Sequence, residues 1–298
     1  MSPYVEAARP RTLPAAVAPV LVGTAAAATP VGEVSWLRFA LALLVALALQ
    51  VAVNYANDYF DGVKGVDTPD RIGPRRAVAA GLVTPGAMKR ATAAALALAG
   101  LAGLGLAALA GWELLAVGVA GMLAALGYSG GPRPYASAGL GEVFVFVFFG
   151  LVATVGSAYA QDETVTLVAV LASLPMGFLA TALLVVNNLR DIPTDREAGK
   201  VTLAVRLGEA RTRGLYVTLV VAAYASLVVL LLVTGETWVL LPLVSIVLTW
   251  RGVLLVRHAP LGARLIEALE HTAKGQLAFA VLFAVGLVLA AEASRGAA

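Results

Sequence analysis

Nine long apolar stretches limit what this chain can fold into more than any single motif does. They lie at roughly 13–29, 37–56, 91–110, 112–129, 139–160, 165–188, 214–233, 237–256 and 275–293. A membrane-spanning helix needs about 20 predominantly apolar residues. With 60% of its 298 residues hydrophobic and 13% charged, the chain lacks the charged surface of a soluble globule. The sequence therefore predicts an all-α, polytopic membrane protein with about nine transmembrane helices.

The residue types that are missing or scarce exclude several kinds of site. The chain has no cysteine, which excludes disulfides, thiolate metal sites and a cysteine nucleophile. Its two histidines, His258 and His271, are too few for a three-histidine zinc site. A metal ion would therefore be held by oxygen ligands. The net charge of +3 is explained by orientation in a bilayer, and we expect no nucleic acid as a partner.

Lysine and arginine are distributed unevenly between the two sides of the predicted bundle. With nine spans, all of the 21 except Arg38 and Arg295 fall on the side of the N-terminus. Because positively charged loops stay in the cytoplasm, we expect a cytoplasmic N-terminus and localisation in the cell (inner) membrane. Two long loops on that side, at roughly 57–90 and 189–213, also carry unusual acidic residues. We therefore expect the active site to face the cytoplasm.

The end of the second stretch carries a cluster of amides and carboxylates. It reads NYANDYFDGVKGVD and contains Asn54, Asn57, Asp58, Asp61 and Asp67. If the helix continues, Asn54, Asn57 or Asp58, and Asp61 are spaced for one helical face.

The sixth stretch ends in a similar cluster, NNLRDIPTDREAGK. Here Asn187, Asp191 and Asp195 repeat at intervals of four residues, which again places them on one face. Pro193 leaves open whether the helix continues past Asp191, because proline bends or ends a helix. The two clusters are about 130 residues apart at equivalent span ends. This predicts one domain, 1–298, with two pseudo-repeated halves, about 1–135 and 136–298.

Carboxylates gathered at a membrane edge need a neutralising cation. Each would cost roughly 2.5 kcal/mol or more if drawn toward the bilayer core, and oxygen ligands of this kind suit Mg²⁺ shared with substrate phosphates. A single cluster could be a helix cap among solvated anchors, but two at equivalent positions favour a site of carboxylate, Mg²⁺, diphosphate and Arg or Lys. The interleaved cations are Lys64, Arg71, Arg75, Arg76, Arg190, Arg196, Lys200 and Arg206.

Aromatic residues cluster around the fifth stretch. This pattern is more typical of a core or of an interfacial belt than of substrate contacts. They are Tyr128, Tyr135, Phe144, Phe146, Phe148 and Phe149.

The two acidic segments resemble the motifs of the UbiA superfamily of intramembrane prenyltransferases. Asn57, Asp58 and Asp61 match the NDxxD motif of that family, and Asp191 and Asp195 match its DxxxD motif. The resemblance covers essentially the whole chain.

The segments around these motifs resemble the branch that acts on dihydroxynaphthoate in menaquinone synthesis. Asp67 departs from the general pattern, since it stands six residues after Asp61 instead of four. The segments are ARPRTLPAAVAPVLVG, NDYFDGVKGVD, DRIGPRR, RPYASAGLGEVFVFVFFG and NNLRDIPTDREAGKVTLAVRLG.

The resemblance implies a bundle around a central cavity with a cytoplasmic cap. The implied reaction joins a polyprenyl group from polyprenyl diphosphate to 1,4-dihydroxy-2-naphthoate, releases CO₂ and diphosphate, and gives demethylmenaquinone. The implied cofactor is Mg²⁺, with the metal ligands Asn57, Asp58, Asp61, Asp67, Asp191 and Asp195. The implied catalytic residues are Asp61, Asp191, Lys64 and Arg190. The implied substrate-binding residues are Asn54, Asn187, Arg76, Lys200, Arg206, Arg133, Tyr135 and Arg11.

Three alternatives stay open at this point. The acidic motifs are shared by prenyltransferases that use 4-hydroxybenzoate or homogentisate, so the acceptor is not decided by them. An ion-coupled transporter would carry its acids near the middle of the spans, whereas these lie at span ends. A CDP-alcohol phosphotransferase has one aspartate cluster, and this chain has two in different halves.

Overall fold

The regular secondary structure of the chain is helical wherever the structure, a computed structural model, describes it, over residues 2–31, 33–65 and 76–296. Two short 3₁₀ helices, Pro10–Thr12 and Thr237–Ser245, and a π-helical segment, Phe146–Val152, interrupt or extend the α-helices. The α-helices are α1 (Pro3–Ala7), α2 (Pro14–Val31), α3 (Trp36–Lys64), α4 (Pro85–Ala110), α5 (Glu113–Gly127), α6 (Gly141–Val145), α7 (Ala153–Asp162), α8 (Leu167–Glu197), α9 (Leu203–Leu207), α10 (Glu209–Thr234), α11 (Ile246–His258) and α12 (Arg264–Gly296).

Seven helical stretches among the described residues are long and apolar enough to cross a membrane. Two shorter apolar helices, Pro14–Ala27 and Glu113–Gly127, lie where the first and fourth stretches were predicted. The all-α, polytopic fold is therefore confirmed. The predicted count of nine spans depends on these two helices, which are shorter than the roughly 20 residues of a full span. The seven long stretches are Trp36–Lys64, Pro85–Ala110, Gly141–Asp162, Leu167–Glu197, Glu209–Thr234, Thr237–His258 and Arg264–Arg295.

Helix α8 lies at the centre of the bundle. Of its most apolar segment 67% is buried inside the protein, against 22–39% for the other six long stretches. The helix continues through Pro193 to Glu197, which answers the question that this proline left open. Pro193 has no backbone N–H, so one hydrogen bond of the helix is lost, but the loss falls close to the helix end. There the Thr194 hydroxyl donates to the carbonyl of Asp191 at 3.1 Å. The second acidic motif is therefore entirely helical.

Small residues let the helices of the bundle approach closely. A Cβ on Gly150 would lie 2.5 Å from the Cα of Gly177, so the π-helical segment and α8 touch backbone to backbone. A Cβ on Gly23 would lie 2.1 Å from the carbonyl oxygen of Thr154, which joins α2 to α7 in the same way. Close contact of this kind is a major source of helix association in membranes, where lipid is as apolar as the helix surfaces.

Arg38 holds helix ends together at the end of the bundle opposite the acidic motifs. Its guanidinium donates to the carbonyl oxygens of Ala160, at 3.1 Å, and Gln161, at 3.0 Å, near the C-terminus of α7. It also donates to the carbonyl of Leu109 in α4 and pairs with Glu163 at 2.9 Å. A cation at helix C-termini is favoured by their unpaired carbonyls and dipoles. This arginine therefore stabilises the packing of helix ends on the side where basic residues are rare.

We expect Gly150→Ala to destabilise the protein by about 1–3 kcal/mol, because the added methyl group would clash with the backbone of α8 and force the two helices apart. Thermal unfolding in detergent measures the effect. Gly156→Ala in α7 is the matched control, since a Cβ there meets nothing within 4 Å. Equal stability of the two variants would contradict the close helix contact.

Candidate active site

A cavity of about 610 Å³ lies inside the bundle. Its wall follows α3 from Ala42 to Asn57, a depth of roughly 22 Å at 1.5 Å per residue. Most of the wall is apolar. The end nearest the two acidic motifs is polar, and the side chains there are Arg9, Asn54, Asn57, Arg76, Asn187, Asn188, Asp191, Asp195 and Lys200. The cavity thus has a charged mouth and an apolar body.

Asp61 connects the two acidic segments next to this mouth; it lies behind Arg76 and Lys200, which line the cavity while Asp61 does not. The residue is 4% exposed, and its Oδ2 lies 3.5 Å from Arg76 and 3.5 Å from Lys200. Lys200 follows the second motif, so this pair joins segments that are far apart in the chain. The predicted meeting of the two clusters is therefore seen in the structure.

Asp58, the neighbouring acid of the first motif, anchors a loop. Its two carboxylate oxygens accept hydrogen bonds from the backbone N–H groups of Ala77, at 2.9 Å, and Val78, at 2.8 Å. Gly62 makes room for this loop, because a Cβ there would lie 2.7 Å from Val78. The structure thus gives Asp58 a positioning contact that the predicted role as a metal ligand did not include. That role stays a prediction.

The N-terminal segment covers part of the mouth. The amide of Asn54 donates to the carbonyl of Ala8 at 2.8 Å, and Gln50 donates to the hydroxyl of Thr12 at 3.2 Å. Arg9 has a left-handed backbone, with φ of 53°, which is uncommon for a residue other than glycine. Arg9 and Thr12 both line the cavity. The cap therefore includes residues before the first span as well as the long loops.

A buried ion pair organises the second motif. The Arg190 guanidinium donates to both carboxylate oxygens of Asp191 at 2.7 Å and to Asn187 Oδ1 at 2.9 Å. Such bidentate pairing fixes the relative orientation of the two side chains. The next acid, Asp195, accepts a bond of 3.4 Å from the Thr202 hydroxyl. Arg190 thus contacts the motif through Asp191, and its catalytic role stays a prediction.

Some predicted side chains are placed away from the described cavity wall. Lys64 donates to the carbonyl of Ser129 at 3.0 Å, and Arg11 pairs with Glu270 at 3.1 Å. Arg206 packs against Gly139, and Arg133 is exposed. Their substrate roles stay predictions. Asp67, the least regular member of the first motif, lies outside the described residues.

Aromatic rings form one side of the cavity. Tyr135 stacks on Phe144 with ring centres 3.9 Å apart, Phe144 lies nearly parallel to Phe148, and Tyr128 meets Tyr135 edge-on. All four line the cavity, where the sequence had favoured core or belt positions. Burial raises the pKa of the Tyr128 and Tyr135 hydroxyls, so both stay neutral. The wall therefore offers electron-rich faces without charge.

Sequence reasoning missed two buried polar residues beside this wall. Asn188 lines the cavity, and its amide donates to the Glu142 carboxylate at 3.0 Å. Asn188 is one residue out of step with the four-residue repeat of Asn187, Asp191 and Asp195, so that repeat did not indicate it. Glu142 stands at the start of an apolar stretch in the segment RPYASAGLGE, and an acid at that place is the signal that could have found it.

The donor set at the mouth fits Mg²⁺. Oδ2 of Asp61 is buried and makes no hydrogen bond within the described residues; its two cations at 3.5 Å are beyond the 2.7–2.9 Å of a charge-assisted bond. Within the same residues no three acidic or histidine side chains form a ready metal cage. Mg²⁺ keeps several waters and is bound through one or two carboxylates together with substrate phosphates, so the buried Oδ2 of Asp61 is a donor that fits such a site.

Solved structures with this fold are known. A UbiA homolog from Aeropyrum pernix has a TM-score of 0.68 at 19% identity, covering 93% of this chain and 97% of its own. A UbiA homolog from Archaeoglobus fulgidus bound to DMAPP and Mg²⁺ has a TM-score of 0.64 at 17% identity, covering 95% of this chain and 100% of its own. At these identities the likeness establishes the fold.

Sequence comparison is more specific. A relative from Mycobacterium tuberculosis, named 1,4-dihydroxy-2-naphthoate octaprenyltransferase, is 47% identical over 95% of this chain and 96% of its own length. A relative of the same name from Escherichia coli is 39% identical over 96% and 95%. The family model of the UbiA prenyltransferases matches residues 16–264. The chain therefore belongs to the UbiA prenyltransferase family.

Proposed function

We propose that this chain transfers a polyprenyl group from polyprenyl diphosphate to 1,4-dihydroxy-2-naphthoate, releasing CO₂ and diphosphate and giving demethylmenaquinone in its reduced, hydroquinone form. The observation that carries the proposal is a cavity with an apolar body and a mouth that bears both acidic motifs. A polyprenyl diphosphate is divided in the same way, into an apolar tail and a charged head. The name shared by the relatives supports the naphthoate as acceptor.

Different residues at the mouth would hold the metal ion and bind the diphosphate. Asp61, Asp191 and Asp195 would hold Mg²⁺, which supplies positive charge against the charge that grows on the leaving diphosphate. Arg76 and Lys200 lie beside Asp61 and are placed to bind phosphate oxygens. Arg190 orients Asp191 through hydrogen bonds to both of its carboxylate oxygens.

The reaction needs no nucleophilic side chain. The allylic C–O bond breaks with its electron pair on diphosphate, and the aromatic wall stabilises the allylic cation, because ring faces attract cations. A ring carbon of the acceptor supplies the electron pair of the new C–C bond. The bond to the carboxylate then breaks, and its electron pair returns to the ring as CO₂ leaves. No proton is gained or lost overall, so a general base is not required.

An arginine at the mouth would orient the acceptor. Arg9 lines the cavity, and Arg11 and Arg133 do not. A guanidinium binds a carboxylate with two parallel hydrogen bonds. We assign to Arg9 the carboxylate of the naphthoate before it is lost.

We expect Asp61→Asn and Asp191→Asn each to lower turnover at least about a hundredfold, the loss typical when charge stabilisation of a transition state is removed. Diphosphate release from a polyprenyl diphosphate in the presence of Mg²⁺ measures it. The matched control is Asp162→Asn, the same change at the opposite end of the bundle, which should keep normal activity. Near-normal turnover of either motif variant would contradict the two-cluster site.

The acceptor is tested by product analysis. We expect purified protein to prenylate 1,4-dihydroxy-2-naphthoate with one CO₂ released per product, measured by mass spectrometry and labelled carboxylate. Efficient prenylation of 4-hydroxybenzoate with its carboxylate retained, and none of the naphthoate, would overturn this choice of acceptor.

Orientation is tested with single cysteines, since the native chain has none. The charge distribution favours a cell membrane location with the motifs on the cytoplasmic side. We expect Leu82→Cys, in the exposed loop after the first motif, to react with an impermeant maleimide only after cells are permeabilised. Val165→Cys, exposed at the other end between α7 and α8, should react in intact cells. The opposite pattern would reverse the topology.

A further inference from the structure

A buried carboxyl group and a buried amide form a pair beside the cavity and have no part in the mechanism above. Glu142 is 6% exposed and Asn188 is 7% exposed. The amide nitrogen of Asn188 donates to Glu142 Oε1 at 3.0 Å, and Asn188 lines the cavity. An ionisable group with so little exposure is costly in a membrane protein and usually marks function.

The pair stands beside the aromatic wall. Phe144, on which Tyr135 stacks, is two residues after Glu142 in α6. A Cβ on Gly141, the residue before Glu142, would lie 3.7 Å from the ring of Tyr128, so this end of α6 packs against that ring. Asn188 is therefore at the place where a flat aromatic acceptor would meet the ring faces.

The hydrogen bond to Glu142 decides which part of a substrate can bind here. Oε1 of Glu142 accepts from the NH₂ group of the Asn188 amide, which leaves the amide carbonyl oxygen as the acceptor for a ligand. A diphosphate or a carboxylate has only acceptor oxygens and offers that carbonyl no hydrogen bond. A neutral donor, such as an aromatic hydroxyl, fits this requirement.

We propose that Asn188, positioned by Glu142, binds a ring hydroxyl of the aromatic acceptor, and that Glu142 is a positioning residue for acceptor recognition. The proposal rests on the proposed function, because the acceptor that it concerns is the dihydroxynaphthoate. Arg9 would hold the carboxylate end of the same ring, and the Asn188 amide the hydroxylated end.

Steady-state kinetics with both substrates tests the proposal on the full chain. Glu142→Ala and Asn188→Ala should each raise KM for the naphthoate at least tenfold and leave KM for the polyprenyl diphosphate within twofold. Glu142→Gln keeps an acceptor oxygen for Asn188, so its KM for the naphthoate should stay within threefold of the wild type. The double variant Glu142→Ala with Asn188→Ala should be no worse than Asn188→Ala, since Glu142 acts through the amide.

Two controls separate recognition from general damage. Gln276→Ala removes a fully buried polar side chain of similar size in α12 and should not change either KM. The competitive inhibitor 2-naphthoate has no hydroxyl, so its Ki should be the same for the wild type and for Asn188→Ala. If Glu142→Ala does not accumulate as folded protein, Asn188→Ala and Glu142→Gln decide the matter.

The contrary outcomes are distinct. Unchanged KM for the naphthoate, a parallel rise of both KM values, an equal loss of 2-naphthoate binding, or a Glu142→Gln variant as impaired as Glu142→Ala would each overturn the positioning role. Failure of the wild type to prenylate the naphthoate would overturn the proposed function instead.

Discussion

Asp61 and Asp191 lie on two apolar helices with almost no exposed surface, and each is held beside basic side chains. Burying an unpaired carboxylate costs several kcal/mol in a low-dielectric setting, so both acids depend on these cations. Lys200 has a further effect, because it follows the second motif and pairs with the acid of the first. Charge pairing thus brings the two halves of the chain together at the mouth of the cavity.

The two acids are paired with different strength. Arg190 binds Asp191 with two bonds of 2.7 Å, whereas Arg76 and Lys200 stay 3.5 Å from Asp61. The longer pairs are weaker and can be exchanged for phosphate oxygens at lower cost than the two-pronged pair. The pair of Asp191 and Arg190 is therefore the fixed one. The contacts of Arg76 and Lys200 with Asp61 are the ones that a bound diphosphate can replace.

Beyond the mouth, packing rather than charge shapes the cavity. Close glycine contacts such as that between Gly150 and Gly177 bring helices together on one side, and the π-helical segment Phe146–Val152 places Phe148 and Phe149 on the cavity wall. Prenyl transfer benefits from such a wall, because an allylic cation needs electron-rich faces and the exclusion of water.

Much of the fold follows from the sequence because its determinants are local. Runs of apolar residues predict where helices form, and the four-residue spacing of Asn187, Asp191 and Asp195 predicts one face, which the structure confirms by placing all three on the cavity wall. The sequence did not predict whether Pro193 breaks the helix, because that depends on whether nearby groups satisfy the carbonyls that lose their hydrogen bonds.

The site required the tertiary structure because its pairings join distant residues. The sequence by itself determined a helical membrane protein with two acidic clusters on helical faces, since hydropathy and helix geometry depend on neighbouring residues. It did not distinguish Asp58, which binds a loop backbone, from Asp61, which meets Lys200. Nor did it join Glu142 to Asn188, 46 residues apart. Those assignments were decided only by the folded bundle, because which donor reaches a buried carboxylate depends on which helices and loops pack against it.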